Sequence, residues 1–415
     1  MSQFSIWLPL VWGGAIGAAL YVYRSFLVSR YRPARTEFAA RVSVVSPVFR
    51  EDPHILELAV ESWLRCGVDE ILLIVPTEDK ASADHAQRLF GSEPRVQILA
   101  SPERTKRANL ARGIGAATNP IVVLADSDTL WEQDLVANLV QPFADPRVAG
   151  VATRPRVLAA RSSVWRYIAD WLLDAKYLRQ VPAMAAAGAV SCLSGRTVAY
   201  RRELLLAVLP ELVHETFGGR RCLSGDDGRL TWLMLRDGYR TAYQRNAVAW
   251  TMAPETLRGF AMQRLRFARN DYRNYLRAFS EGWLHRQPLA TRLFVLQTLL
   301  GPLWSAGALV FSALAAAGGD TVAAGAWATA SFWGQGLLVA PRMRRDARSV
   351  LYLPLLAALT LVATAIRIYA VCTLRTQAWM TRRPGVEHPE GQSAASLGWS
   401  PGPNPAPAVK GRAPV

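Results

Sequence analysis

Histidine and cysteine are scarce in this 415-residue chain, which has five of the first and four of the second. His54, His85, His214, His285 and His388 are scattered, and Cys66, Cys192, Cys222 and Cys372 show no close paired spacing, so neither a zinc site nor a disulfide framework is expected. Acidic residues are also few: 32 Asp and Glu stand against 48 Lys and Arg, a formal net charge of +16. Such an excess is compatible with nucleic-acid binding. Here, however, the basic residues gather at the borders of apolar runs and in one helix downstream of the acidic motifs. Anionic headgroups or a nucleoside diphosphate are sufficient partners for them, and nucleic acid is not expected as a ligand.

Charge is nearly missing from residues 4–23, 293–319, 321–340 and 350–365, each approaching the roughly 20 residues that span a bilayer. The first run has no basic segment before it and no A-x-A-like site after it, so it reads as a retained anchor rather than a signal peptide. Arg24, Arg30, Arg32 and Arg35 follow directly, and the positive-inside rule then places the next segment in the cytoplasm, beneath an inner or plasma membrane crossed more than once. The basic loop with Arg342, Arg344, Arg345 and Arg348 belongs on the same side, which makes 293–319 and 321–340 a hairpin. Residues 384–415, rich in Pro, Gly, Ser and Ala, are expected to be a disordered tail.

From Arg41 onward short β-branched runs alternate with amphipathic stretches, which predicts an α/β fold with a mostly parallel sheet. Strands are expected at 42–48, 70–75, 95–100, 121–125 and 148–157. Helices are expected at 53–65 with Asp52 as cap, at 79–90, at 105–117 and at 162–178, followed by a small, flexible stretch at 185–189. Ligands in open α/β sheets bind beyond the carboxyl ends of the strands, so the loops after Val48, Val75, Ala100 and Ala125 are where nucleotide contacts belong.

Three motifs carry chemistry. The apolar strand at 121–125 ends in Asp126-Ser127-Asp128, a carboxylate pair able to hold a hard divalent cation against a diphosphate leaving group. Capping of a helix beginning near Leu130 explains the same residues equally well. Gly225-Asp226-Asp227 opens an amphipathic helix expected over 230–236; a helix N-terminus favours the ionised carboxylate that a general base needs, and two neighbouring acids push one pKa upward. Capping again accounts for one of the two. Gln263-Arg264-Leu265-Arg266-Phe267 lies in a basic helix continuing through Arg269, Arg273 and Arg277. Arginine forks suit diphosphate oxygens, although by itself such a helix fits a headgroup-facing surface better.

Taken in order, Asp126 to Thr129, Cys192-Leu193-Ser194-Gly195, Gly225-Asp226-Asp227 with Leu230-Thr231, and Gln263-x-x-Arg266 resemble the processive family 2 glycosyltransferases. The closest likeness is to hyaluronan synthases, with chitin, chitooligosaccharide and cellulose synthases as relatives. Lys106-Arg107 is similar to their lysine-arginine element, and Tyr369 through Trp379 to Arg382 to a gating-loop region. The resemblance implies a Rossmann-like, GT-A type domain. It also implies Mg²⁺ or Mn²⁺ held by Asp126 and Asp128, and Asp227, next to Asp226, as the base in an inverting transfer from a UDP-sugar to a growing polysaccharide. Asp79, Lys106, Arg107, Asp126, Asp128 and Arg266 would seat the nucleotide sugar. Cys192, Ser194, Gly195, Gln263 and Phe267 would receive the acceptor, and Trp379 and Arg382 would be gating-like.

The chain also departs from that pattern. Phe267 stands where the family usually has Trp, Arg196 where Pro is common, and Gly228 where Arg is common. The division expected is an anchor and basic juxtamembrane segment at 1–36, a cytoplasmic transferase domain at 41–280, interfacial and transmembrane helices at 281–375, and a gating-like segment with tail at 376–415. With 350–365 interfacial or re-entrant, Trp379 and Arg382 stay cytoplasmic and about three spans remain. That number leaves room for a homodimer or an export partner to complete a channel. Single-sugar transfer to a lipid or oligosaccharide, and a non-catalytic subunit of a synthesis complex, are the competing expectations.

Overall fold

The structure of the chain, a computed structural model, describes residues 3–329 and 347–376. In chain order it contains α1 (Gln3–Arg30), β1 (Val42–Pro47), α2 (Pro53–Arg65), β2 (Glu70–Pro76), α3 (Lys80–Phe90), β3 (Val96–Ser101), α4 (Lys106–Ala116), β4 (Ile121–Ala125) and β5 (Thr129–Trp131). Then follow α5 (Leu135–Leu139), β6 (Val148–Val157), α6 (Val164–Ala175), α7 (Val181–Ala186), β7 (Thr197–Arg201), α8 (Arg202–Val213), and a small hairpin of β8 (Thr216–Phe217) and β9 (Arg220–Arg221). The last elements are α9 (Asp226–Arg236), β10 (Arg240–Thr251), α10 (Leu257–Ser280), α11 (Leu289–Ala317) and α12 (Leu353–Cys372).

Eight strands form one sheet in the order β3-β2-β1-β4-β7-β6-β10-β5. Both faces are buried, because alternate side chains point opposite ways. Ile71, Leu73, Val75, Ile121 and Val123 enter one core, while Leu72, Ile74, Val122 and Leu124 enter the other. Asp52 caps α2 by accepting from the His54 and Ile55 N–H groups, at 2.9 and 3.1 Å.

The sheet is mixed rather than mostly parallel. β1, β2, β3 and β4 pair in parallel, but β7 lies antiparallel to both β4 and β6, and β5 antiparallel to β10. β5 is too short to show a period, and β10 shifts register against β6 between Tyr243 and Val248, which breaks its alternation. The helix expected at 162–178 does not stop there: a π-helical turn at Lys176–Gln180 carries it into α7. Ala185 and Ala186 of the stretch expected to be flexible are therefore helical.

Among the described residues three helices are long and apolar enough to cross a membrane: Leu10–Arg30, Leu289–Ala317 and Pro354–Cys372. After α11 the helical residues 321–329 turn back, and Trp327 stacks on Phe311 with ring centroids 4.9 Å apart, as a hairpin requires. The remainder of the expected 321–340 run, and Arg342, Arg344 and Arg345, lie outside the described residues. α12 touches the α/β domain near both ends. Tyr352, just before it, meets Tyr167 at 4.6 Å between centroids, and Ala370 is buried with Leu265, Ala268 and Tyr272 of α10. The Arg269 guanidinium donates to the Thr373 hydroxyl at 2.9 Å.

Candidate active site

β4 runs out at Ala125, and Asp126 follows at the carboxyl edge of the sheet. Thr105 caps α4 by accepting from the Ala108 N–H at 3.3 Å, which makes Lys106 the first residue of that helix. Its Nζ lies 2.7 Å from Asp126 Oδ1 and 3.5 Å from Asp226 Oδ2. Ser127 is buried and donates its hydroxyl to the Glu51 carboxylate, while Asp126 and Asp128 on either side stay half-buried. From Thr129 the chain is strand, not helix, so helix capping does not account for this pair.

The second pair sits on α9, which begins at Asp226 rather than near Leu230. Gly225 precedes it with φ 79°, a left-handed conformation that any side chain would strain. Asp227 Oδ1 accepts the Gly228 N–H at 2.8 Å, and Oδ2 accepts the Gly195 N–H at 3.4 Å and faces Cys192 Sγ at 3.9 Å. Thr231 ties this loop to the helix: its hydroxyl donates to the Asp227 carbonyl at 2.7 Å and accepts the Leu193 N–H at 3.0 Å. α10 packs close against α9 at Gly228, where a Cβ would run into the Asn274 side-chain amide.

Burial and charge separate the two acids. Burial by itself would raise the Asp226 pKa, but Lys106, Arg107 and Arg266 outweigh it and hold this carboxyl below the ordinary range. For Asp227 burial comes first and the Asp226 charge adds to it, so this carboxyl is pushed above the ordinary range. Neighbouring acids driven apart in this way give one fixed anion and one group that takes a proton readily, titrating as a pair. Burial disfavours the charged Lys106 ammonium, yet Asp126 and Asp226 more than compensate and raise its pKa.

A divalent cation fits the first pair. Asp126 and Asp128 offer only hard oxygen donors, and among the described residues no group of three or more His, Cys, Asp or Glu is arranged to hold an ion alone. Two carboxylates with phosphate oxygens and water making up the rest is the usual Mg²⁺ arrangement.

Other expected residues are used differently. The Arg107 guanidinium is spent inside the protein, on the Leu212 carbonyl at 2.9 Å, Glu215 Oε2 at 2.6 Å and the Ser224 carbonyl at 2.8 Å. It shapes the loop leading to Asp226 instead of facing a nucleotide. Asp79 caps α3 through the Ser82 N–H at 3.3 Å and accepts the Arg50 N–H at 2.5 Å, so it braces the loop after β1. Arg269, Arg273 and Arg277, expected to offer forks to a diphosphate, instead bond Thr373, the Leu374 carbonyl and Glu215. Gln263, Arg266 and Phe267 are half-buried on α10, with Arg266 close enough to Asp226 to lower its pKa. Ser194 is half-buried beside Gly195. Trp379 and Arg382 lie outside the described residues.

Sequence reasoning passed over Thr231 as a brace and over Lys176 and Asp271. Lys176 begins the π-helical turn and is half-buried; burial disfavours its charge, but Tyr177, Cys192, Asp271 and Asp227 outweigh it and raise its pKa. The single lysine of the helical run from Val164 to Ala186, and the single acid in the arginine-rich α10, were the available signals.

Comparison with known proteins agrees with this geometry. Residues 40–270 match the family described as Glycosyltransferase like family 2. An N-acetylglucosaminyltransferase of Bradyrhizobium diazoefficiens is 30% identical over 392 residues, covering 86% of this chain and 77% of its own length. Another from Sinorhizobium fredii is 29% identical over 369 residues, covering 84% and 86%. A mannosyltransferase from Pyrobaculum calidifontis, solved in complex with GDP-mannose and Mn²⁺, shares the fold with a TM-score of 0.59 at 20% identity, over 89% of this chain and 97% of that one. None of these three is named a hyaluronan synthase, so that narrower likeness rests on the motifs alone. Fold, family match and relatives agree: the chain belongs to the family 2 glycosyltransferases, has the GT-A fold and transfers a sugar.

Proposed function

We propose that the chain is a membrane-bound inverting transferase that moves N-acetylglucosamine from UDP-N-acetylglucosamine to a hydroxyl of a growing saccharide, with its catalytic domain on the cytoplasmic face. The observation that carries this reading is the split pair Asp226 and Asp227 facing Asp126 across Lys106. Asp227 takes the proton from the acceptor hydroxyl, whose oxygen attacks the anomeric carbon as the bond to the diphosphate breaks and UDP leaves; one displacement inverts that carbon. Lys106 and Arg266 supply fixed positive charge beside the leaving group. When bound, Mg²⁺ or Mn²⁺ on Asp126 and Asp128 would neutralise the diphosphate. Cys192, Ser194, Gly195, Gln263 and Phe267 receive the acceptor, Phe267 through its ring face without the N–H that Trp would offer. The sugar is taken from the relatives' names, and UDP from the motif resemblance.

Features of the helices support this membrane arrangement. Arg24, Arg30, Arg32 and Arg35 mark the cytoplasmic end of α1. A 20-residue helix is about 30 Å long. If it crossed a bilayer, one end would be carried far from the catalytic domain, whereas α12 meets that domain near both ends, which supports an interfacial helix. Incubating the detergent-purified chain with Mn²⁺ and a panel of nucleotide sugars tests the proposal. UDP-N-acetylglucosamine should be the donor that releases most nucleotide, and turnover of none would refute it.

A further inference from the structure

One buried carboxylate sits where three helices of the site meet. Glu215 follows α8 and is only 8% exposed. Its Oε2 accepts from Arg107 Nη1 of α4 at 2.6 Å and its Oε1 from Arg277 Nη1 of α10 at 2.6 Å, while Arg229 Nε of α9 stands 3.4 Å from Oε1. Arg107 and Arg229 are buried as well. Glu211 and Glu281, which also meet Arg229 and Arg277, are exposed, so the charge of three guanidinium groups falls chiefly on Glu215.

Each of these arginines shares a helix with a residue of the active site. Arg107 follows Lys106 in the first turn of α4, and its Nη2 donates at 2.8 Å to the carbonyl of Ser224, which lies just before Gly225 and Asp226. Arg229 lies about one turn along α9 from Asp226. Arg277 lies about three turns along α10 from Arg266 and also donates to the Thr216 carbonyl at 2.5 Å. The Cys222 N–H closes the segment between α8 and α9 on the Glu215 carbonyl at 2.9 Å. Lys106 Nζ in turn reaches Asp126 at 2.7 Å and Asp226 at 3.5 Å, a placement that a shift of about 1 Å between α4 and α9 would undo.

We propose that Glu215 is a positioning residue for sugar transfer: its one carboxylate locks α4, α9 and α10 together and so keeps Lys106 between Asp126 and Asp226. Glu215 acts through Arg107, not on the donor. Neutralising it leaves three guanidinium groups to repel one another where water does not screen them. Arg107 then carries the first turn of α4 away from α9, and Lys106 leaves Asp226. The inference rests on the reading of Lys106 as fixed charge beside the leaving group.

The test uses the full chain in detergent with Mn²⁺ and UDP-N-acetylglucosamine, and compares Glu215→Gln with Glu70→Gln. Glu70 is a buried carboxylate too, but it accepts the Thr118 N–H at 3.0 Å at the amino end of β2, on the sheet edge opposite Asp126. Glu215→Gln should lower kcat about tenfold with the donor Kd within about twofold, and should move the acid limb of kcat/KM to higher pH. The sign follows from Lys106: drawn off Asp226, it no longer lowers the Asp227 pKa, whereas Asp226, Cys192, Lys176 and Asp271, which also act on Asp227, are the same in every variant. Glu70→Gln should show neither effect, even where its loss in thermal melting is as large. Lys106→Met should already carry the defect, so adding Glu215→Gln to it should cost less than about twofold more. Where Glu215→Gln does not fold, Glu215→Asp, which keeps the charge on a shorter reach, carries the same comparison. The proposal is overturned if the Glu215 variant matches Glu70→Gln in kcat and pH profile, or if its donor Kd weakens as much as kcat falls. No turnover by the unsubstituted chain sinks the transferase reading and the proposal with it; turnover by that chain, with kcat and pH profile unmoved in the Glu215 variant, sinks the proposal alone.

Discussion

Asp126 and Asp128 stand at the open end of a strand, half-buried, with Lys106 beside the first. Asp226 and Asp227 occupy the first turn of a helix, enclosed by Gly195, Cys192 and α10. The residue type is the same in both places. A strand end offers oxygens outward to whatever cation and phosphate arrive, whereas a buried helix start forces two neighbouring acids into different protonation behaviour. Side-chain chemistry thus follows from which secondary-structure end carries it.

The comparison breaks most visibly at Asp227. Asp227→Asn should lower kcat by about 10²–10⁴-fold, the usual worth of a general base. The same change should raise the Tm at neutral pH. A carboxyl whose folded pKa lies above its unfolded value disfavours folding at pH above the unfolded value, and that cost disappears as pH falls below it. Steady-state kinetics and calorimetry on one variant check both halves.

Next comes Arg107, the residue that separates positioning from binding. Arg107→Met leaves Glu215 buried with fewer partners and should cost about 3–5 kcal/mol of stability. Chemical denaturation should register this more strongly than the donor KM does; the opposite ranking would return Arg107 to the nucleotide. At the strand end, Asp126→Asn should reduce kcat/KM about 100-fold and weaken the dependence on Mn²⁺, with little shift of the pH profile. The smallest effect belongs to Asp226→Asn. Without its like charge the Asp227 pKa falls, so the acid limb of kcat/KM should move to lower pH.

How far the sequence reveals this depends on how local each cause is. β4 and the pair that ends it are legible because an apolar run followed by two carboxylates is contiguous, and α2 with its Asp52 cap is legible for the same reason. β5, β7 and β10 are not, since they are strands through their partners: three residues in β5, and a register shift that spoils alternation in β10. The start of α9 at Asp226 depends on the conformation of Gly225, which composition does not display. Arg107 reads as a phosphate ligand until Glu215, Leu212 and Ser224, all more than a hundred residues away, are brought to it. Lys176 and Asp271 escape notice because the π-helical turn and the opposite side of α10 place them at the site by rotation rather than by motif.

The most direct test is transfer from UDP-N-acetylglucosamine by Asp227→Asn beside the unsubstituted chain, with Mn²⁺ present and donor binding measured in parallel. The account predicts a donor Kd within about twofold of the unsubstituted chain and loss of sugar transfer, because the interaction removed is one made in the transition state. Transfer by Asp227→Asn at the unsubstituted rate would contradict it.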